Sequence, residues 1–203
     1  QREIDNKEDK VILAIDHIIQ NCGKINSQDK VLIIYDTKTK ILANLFELRS
    51  ERIAKRVISL IINNISRHGQ EPDSKISEAM LHSSLIISLC TWSLAHTNAR
   101  IKAGIAGARF LSLPSYSIDF ITNKAILCNY ESRAPIALKI ADILNSGRTM
   151  EIKSAIGTNL KLVINDRIAN CCPGYVEKPG DLGSPPDIET NISPQELLSQ
   201  GKV

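Results

Sequence analysis

The residue types able to do acid, base, metal or nucleophile chemistry are sparse and scattered. The histidines are His17, His68, His82 and His96. None sits in a His-Glu-x-x-His pair, and no Cys-x-x-Cys spacing occurs, so zinc held by this chain alone is not expected. Cys171 and Cys172 are adjacent, which disfavours a disulfide between them, and no neighbouring His would activate either thiolate. His96 and Asp36 hold the more informative positions, each just past the end of an apolar run. A substrate-binding role for His96 competes with a capping or packing role shared with Thr97. For Asp36, a metal-binding or phosphate-accepting carboxylate competes with capping of the next helix by it or Thr37. Trp92 is either a partner anchor or a core residue.

The runs that position these residues alternate in period. Val11, Ile12, Ile15, Ile18 and Ile19 recur at spacings of three and four, which predicts a helix ending near Cys22-Gly23. Val31-Leu32-Ile33-Ile34-Tyr35 is an unbroken branched run, as expected of a strand buried on both faces of a parallel sheet. Arg56 to Ile62, Leu85 to Leu89 and Arg109 to Leu113 read as three further strands. Helices are expected at Lys38 to Leu48, Ile76 to Leu81, Asn98 to Ala106, Tyr116 to Cys128 and Ala134 to Leu144. Strands alternating with helices at this spacing imply right-handed crossovers and a doubly wound, mostly parallel α/β sheet. No Gly-x-Gly-x-x-Gly follows the first strand, and Gly104 and Gly107 fall where a helix C-cap explains them, so nucleotide binding is not expected.

After Gly147 the pattern becomes alternating, at Met150 to Ser154 and Leu160 to Ile164 around Gly157-Thr158-Asn159, as in antiparallel strands. The division expected is an α/β domain over 1–146 and a smaller, incomplete antiparallel β-rich domain over 147–203. Cys171 to Pro194 reads as an irregular loop, and Gly201-Lys202-Val203 as the start of another strand.

Composition bounds the setting. The 203 residues carry 25 basic and 22 acidic side chains, interleaved, for a net charge of +3, so nucleic acid is not a favoured partner. The longest apolar runs are too short to span a bilayer, and five cysteines without framework spacing suit a reducing compartment, so a cytoplasmic location is expected.

Three stretches together resemble the aminopeptidase T and aminopeptidase S metallopeptidase family, to which the non-haem iron dihydroxypyridine dioxygenases are also similar. They are Asp29 to Asp36; Thr91-Trp92-Ser93-Leu94-Ala95-His96-Thr97-Asn98-Ala99-Arg100 with Ala106-Gly107-Ala108-Arg109 and Leu113-Pro114; and Gly157-Thr158-Asn159-Leu160 with Pro179 to Glu189. The resemblance implies a metal ligand at Glu189, whose motif is altered by Ser184, Pro185 and Ile188. It places the remaining ligands in sequence beyond Val203. The expectation is therefore no cofactor for this chain alone, and a divalent metal, zinc or cobalt, where such a segment is present. Three functions follow: a non-catalytic scaffold binding a peptide or protein, a fragment of a metal-dependent aminopeptidase, and a small-molecule binding module or dioxygenase-like remnant. A homo-oligomer is expected, because two or three antiparallel strands leave a sheet with a face to cover.

Overall fold

The computed structural model describes residues 6–203. Helix α1 (Lys7–His17) is capped by Asn6, whose side chain accepts from the Glu8 amide, and it widens into a π turn over Ile18–Cys22 before Gly23. Strand β1 (Lys30–Tyr35), helix α2 (Lys40–Ser50), strand β2 (Arg56–Ile61), helix α3 (Ser74–Leu81), strand β3 (Leu85–Leu89), helix α4 (Asn98–Ile105) and strand β4 (Arg109–Ser112) follow. The segment expected as a helix from Tyr116 to Cys128 is instead broken into α5 (Ile118–Ile121) and a 3-10 turn at Lys124–Leu127. Ser117 and Asn123 each cap a fresh start there, which is what interrupts the longer helix.

The main sheet has the order β2-β1-β3-β4-β8, all parallel, where β8 is Leu182–Gly183. Leu32, Ile34, Ile86 and Phe110 meet Ile76, Met80, Ala99 and Ala103 of α3 and α4 in one core layer. The alternate residues Val31, Ile33, Leu85, Ile87 and Leu111 are buried as well. Both faces are covered, which is why β1 and β3 read as continuous apolar runs.

The chain forms two compact units, one built up to Tyr130 together with Gly174–Asp187, the other from Glu131–Pro173 and Ile188–Val203. The stretch expected as an irregular loop thus returns a strand to the first unit's sheet. Gly180, at φ +88, lets this happen: its Cα packs against Gly104, where an added Cβ would lie 3.4 Å away, and its amide donates to the Ala108 carbonyl at 3.1 Å. The second unit contains α6 (Tyr130–Ser146) from Glu131 onward, which buries Ala134, Ala137 and Ala141. It also holds the antiparallel sheet β10-β6-β5 and a short ladder of β7 with β9. Here β5 is Thr149–Lys153, β6 Asn159–Val163, β7 Asn170–Cys172, β9 Glu189–Asn191 and β10 Gln200–Lys202. The paired runs at Met150 and Leu160, and the strand expected at Gly201, are all present. Among the described residues, no helix is long and apolar enough to cross a membrane.

Candidate functional site

In a sheet ordered β2-β1-β3-β4, the loops leaving β1 and β3 diverge to opposite faces, and a crevice opens between them at the carboxyl ends of the strands. A cleft of about 300 Å³ lies there, lined by Asp36, Thr37, Lys38, Ile62, Asn63, Ile65, Cys90, Thr91 and Trp92. Each wall begins at the residue following a strand: Asp36 after β1, Ile62 after β2, Cys90 after β3. All of it belongs to the first unit.

Asp36 is committed to holding the cleft together. One carboxylate oxygen accepts from the Lys38 and Thr39 amides at 2.9 and 3.2 Å, and the other from the Thr91 amide at 2.6 Å. Burial pushes its pKa up, but the amide hydrogen bonds from Thr91, Lys38 and Thr39 outweigh this and hold it below the usual carboxylate value. The carboxylate therefore ties the end of β1 to the end of β3 and keeps its charge. Cys90 forms a buried part of the wall, its thiol near the Ile34 carbonyl at 3.6 Å, and burial pushes its pKa up to about 12. A neutral thiol there is not a nucleophile. Thr37, Lys38 and Asn63 are exposed, and the Trp92 ring is half-buried against His68, ring centroids 5.1 Å apart and edge-to-face. The cleft thus offers an indole, a cation, two hydroxyls and a carboxamide.

The residues that carry the resemblance are largely scaffold. Thr97 caps α4, accepting from the Arg100 amide at 3.1 Å and donating to the Leu94 carbonyl at 2.8 Å. Arg100 Nε donates to the Ala95 carbonyl at 2.7 Å, and Glu71 accepts from the Asn98 and Ala99 amides. Arg109 is buried at the opposite, amino end of the sheet, paired with Asp29 at 2.6 Å. Asp181 closes its own turn by accepting from the Glu177 and Lys178 amides.

His96 is exposed in the turn before α4 and does not line the cleft. Glu189 is exposed on β9 in the second unit, where its carboxylate accepts from Asn191 Nδ2 at 3.3 Å. Of the other histidines, His17 is held between the Cys128 carbonyl and Asn21, and its pKa is lowered by burial, with the backbone hydrogen bond opposing. His82 pairs with Glu78 at the surface. Among the described residues, no three His, Cys, Asp or Glu side chains come together as metal ligands. A catalytic divalent ion needs several converging donors and an open position, so the described residues do not fit one.

Residues 12–203 match the family model described as NicX: 2,5-dihydroxypyridine 5,6-dioxygenase. The chain belongs to that family. Among solved structures it is similar to 2,5-dihydroxypyridine dioxygenase from Pseudomonas putida KT2440, with a TM-score of 0.77 and 14% identity over 94% of this chain and 57% of that one. It is also similar to wild-type AmpT from Thermus thermophilus, with a TM-score of 0.65 and 10% identity over 97% of this chain and 64% of that one. At these identities the two structures carry the fold alone. The chain spans less than two thirds of the length of either. No curated protein matches it in sequence. The likeness to both a dioxygenase and an aminopeptidase agrees with the resemblance read from the motifs.

Sequence reasoning found Asp36 and Trp92 but not Lys38, Asn63 or Ile65 as their neighbours. The available signal was positional: residues just past the ends of β1, β2 and β3 converge wherever β1 lies between the other two.

Proposed function

We propose that the chain binds a small hydroxylated aromatic ring in the cleft at the ends of β1, β2 and β3, as the ligand-holding part of a dioxygenase-family protein. The observation that carries this reading is the cleft itself, placed at the sheet's switch point and lined by Trp92 beside Lys38, Thr37, Asn63 and Thr91. An indole provides a face or edge for a planar ring, and the cation and polar groups match ring hydroxyls or a phenolate. Asp36, already saturated by amides, fixes the walls and leaves recognition to its neighbours. The described residues are not assigned ring opening, since they assemble no metal site. Calorimetric titration with 2,5-dihydroxypyridine tests the reading. Trp92→Ala should weaken binding by up to about tenfold, the worth of one aromatic contact. Absence of binding, or an affinity unmoved by both Trp92→Ala and Lys38→Met, refutes it.

A second reading, a scaffold for a peptide or protein, is supported by β5 and β10, the outer strands of the antiparallel sheet, beside which no further strand lies among the described residues, and by the fold likeness to AmpT. The same titration with tri-leucine separates the two, because a peptide added to a strand edge would bind regardless of Trp92.

A further inference from the structure

We propose that His68 is the positioning residue that sets the plane of the Trp92 indole for a ring bound in the cleft, an inference that rests on reading the cleft as an aromatic-ring site. His68 lies in the loop between β2 and α3 and does not line the cleft. Its imidazole instead stands edge-to-face against the Trp92 indole, with ring centroids 5.1 Å apart and planes at 82°. Aromatic pairs prefer this geometry, because the positive edge of one ring meets the negative face of the other. The contact removes rotamers that a half-buried tryptophan would otherwise explore.

The imidazole is itself held. The Ser93 amide donates to Nδ1 at 3.1 Å, so that nitrogen keeps its lone pair and the ring proton is on Nε2. The next residue closes the link in the other direction, with the Gly69 amide donating to the Ser93 carbonyl at 2.9 Å. Ser93 is fixed in turn by its hydroxyl, which accepts from the Ala95 amide and bonds the Ser112 hydroxyl at the end of β4, both at 3.1 Å. Within the His68 loop, Gln70 accepts from the Ser66 amide at 2.9 Å and donates to the Asn64 carbonyl at 2.6 Å. Trp92 therefore sits between two pinned amides: Thr91 donates to Asp36 after β1, and Ser93 donates to His68 after β2. Asp36 fixes the backbone entering Trp92. His68 fixes the backbone leaving it and, through its ring, the side chain as well.

Trp92 is the one tryptophan of the chain, so emission excited beyond tyrosine absorption reports this indole alone. In the free protein, His68→Ala should lower the emission anisotropy of Trp92 and raise its quenching by acrylamide. His68→Asn keeps an acceptor for the Ser93 amide and removes the ring, so it should loosen the indole too while its urea unfolding midpoint stays at the wild-type value. In calorimetric titration with 2,5-dihydroxypyridine, either variant should weaken binding about two- to fivefold, the worth of one edge-to-face pair. In a Trp92→Ala background neither should weaken it further, because His68 acts through the indole. Failure of the wild-type chain to bind the ring refutes the reading of the cleft, and the emission of the free variants still decides the role of His68. Emission of His68→Ala and His68→Asn indistinguishable from wild type, or an equal loss of affinity with and without Trp92, overturns the proposal.

Discussion

Arg109 forms a buried ion pair with Asp29 in the first unit, and its removal should show that it supports the sheet rather than the cleft. Its guanidinium donates to Asp29 at 2.6 Å and to the carbonyls of Gly23 and Lys24, both at 2.9 Å, with the Arg109 and Asp29 side chains only 8% and 5% exposed. Asp29 in turn accepts from the Ser84 hydroxyl at 2.7 Å and the Asn26 amide at 2.8 Å. Arg109→Ala leaves a buried carboxylate short of its counter-ion and two carbonyls without their donor. Breaking a buried pair from one side costs about 3–5 kcal/mol, and two orphaned carbonyls add to the upper end of that range. Arg109→Lys should recover only part, because one ammonium cannot span the fork that reaches three acceptors. Urea unfolding of wild type and both variants measures this as a shift in midpoint at constant slope. The double replacement Arg109→Met with Asp29→Leu should be far milder than the sum of the single changes, since it removes both charges together. A loss below about 1 kcal/mol for Arg109→Ala, or a double variant as damaging as the sum, refutes this account of the pair.

Asp36→Asn should destabilise by about 1–3 kcal/mol, since an amide presents one acceptor oxygen where the carboxylate presents two. Because the folded-state pKa of Asp36 is depressed, its contribution is present above the ordinary carboxylate value and lost as pH falls through the lower folded value. An acid unfolding profile that Asp36→Asn flattens in that window is the expected result. Ile33→Asp places a carboxylate at a fully buried position of β1 and should cost several kcal/mol, measured as loss of the cooperative unfolding transition. Cys90 should resist iodoacetamide in the folded protein, because its thiol is buried and its pKa is raised to about 12; rapid labelling, read by mass spectrometry, contradicts its placement.

The parallel sheet was legible because burial on both faces writes itself as unbroken branched runs. β1 and β3 are bounded within a residue of the expected positions, and the alternating pairs at Met150 and Leu160 are the antiparallel β5 and β6. The return of Leu182–Gly183 to the main sheet was not legible. A strand of two residues has no periodicity, and the signal for its approach, Gly180 against Gly104, couples positions far apart in sequence. Gly104 viewed locally is only a residue near a helix end. The break between α5 and the following 3-10 turn was hidden for a related reason, since Ser117 and Asn123 compete for the backbone through side-chain bonds that an apolar pattern does not register. The candidate site was half legible: Asp36 was singled out at the end of β1, but the residue at the start of α2 is Thr39 rather than Asp36 or Thr37, and the bond of Asp36 to the Thr91 amide depends on β1 and β3 being neighbours.

The polarity of the sheet separates two sets of residues that the motif resemblance runs together. Asp29 and Arg109 sit where β1 and β4 begin, while Asp36 and Thr91 sit past the ends of β1 and β3. Both sets use carboxylates that accept amide or guanidinium hydrogen bonds, so residue type does not tell them apart. Their position along the strands does, because in an open parallel sheet the crevice forms only beyond the carboxyl ends. The two ends should therefore respond independently to substitution. Arg109→Lys is expected to lower the unfolding free energy while leaving the affinity for 2,5-dihydroxypyridine unchanged, whereas Lys38→Met should weaken that affinity and leave the unfolding free energy within about 0.5 kcal/mol of wild type, as for an exposed side chain. Paired calorimetry and urea unfolding on the two variants decide the matter. If Arg109→Lys weakened binding as much as Lys38→Met, at a temperature where both remain folded, the separation of scaffold from cleft would be wrong.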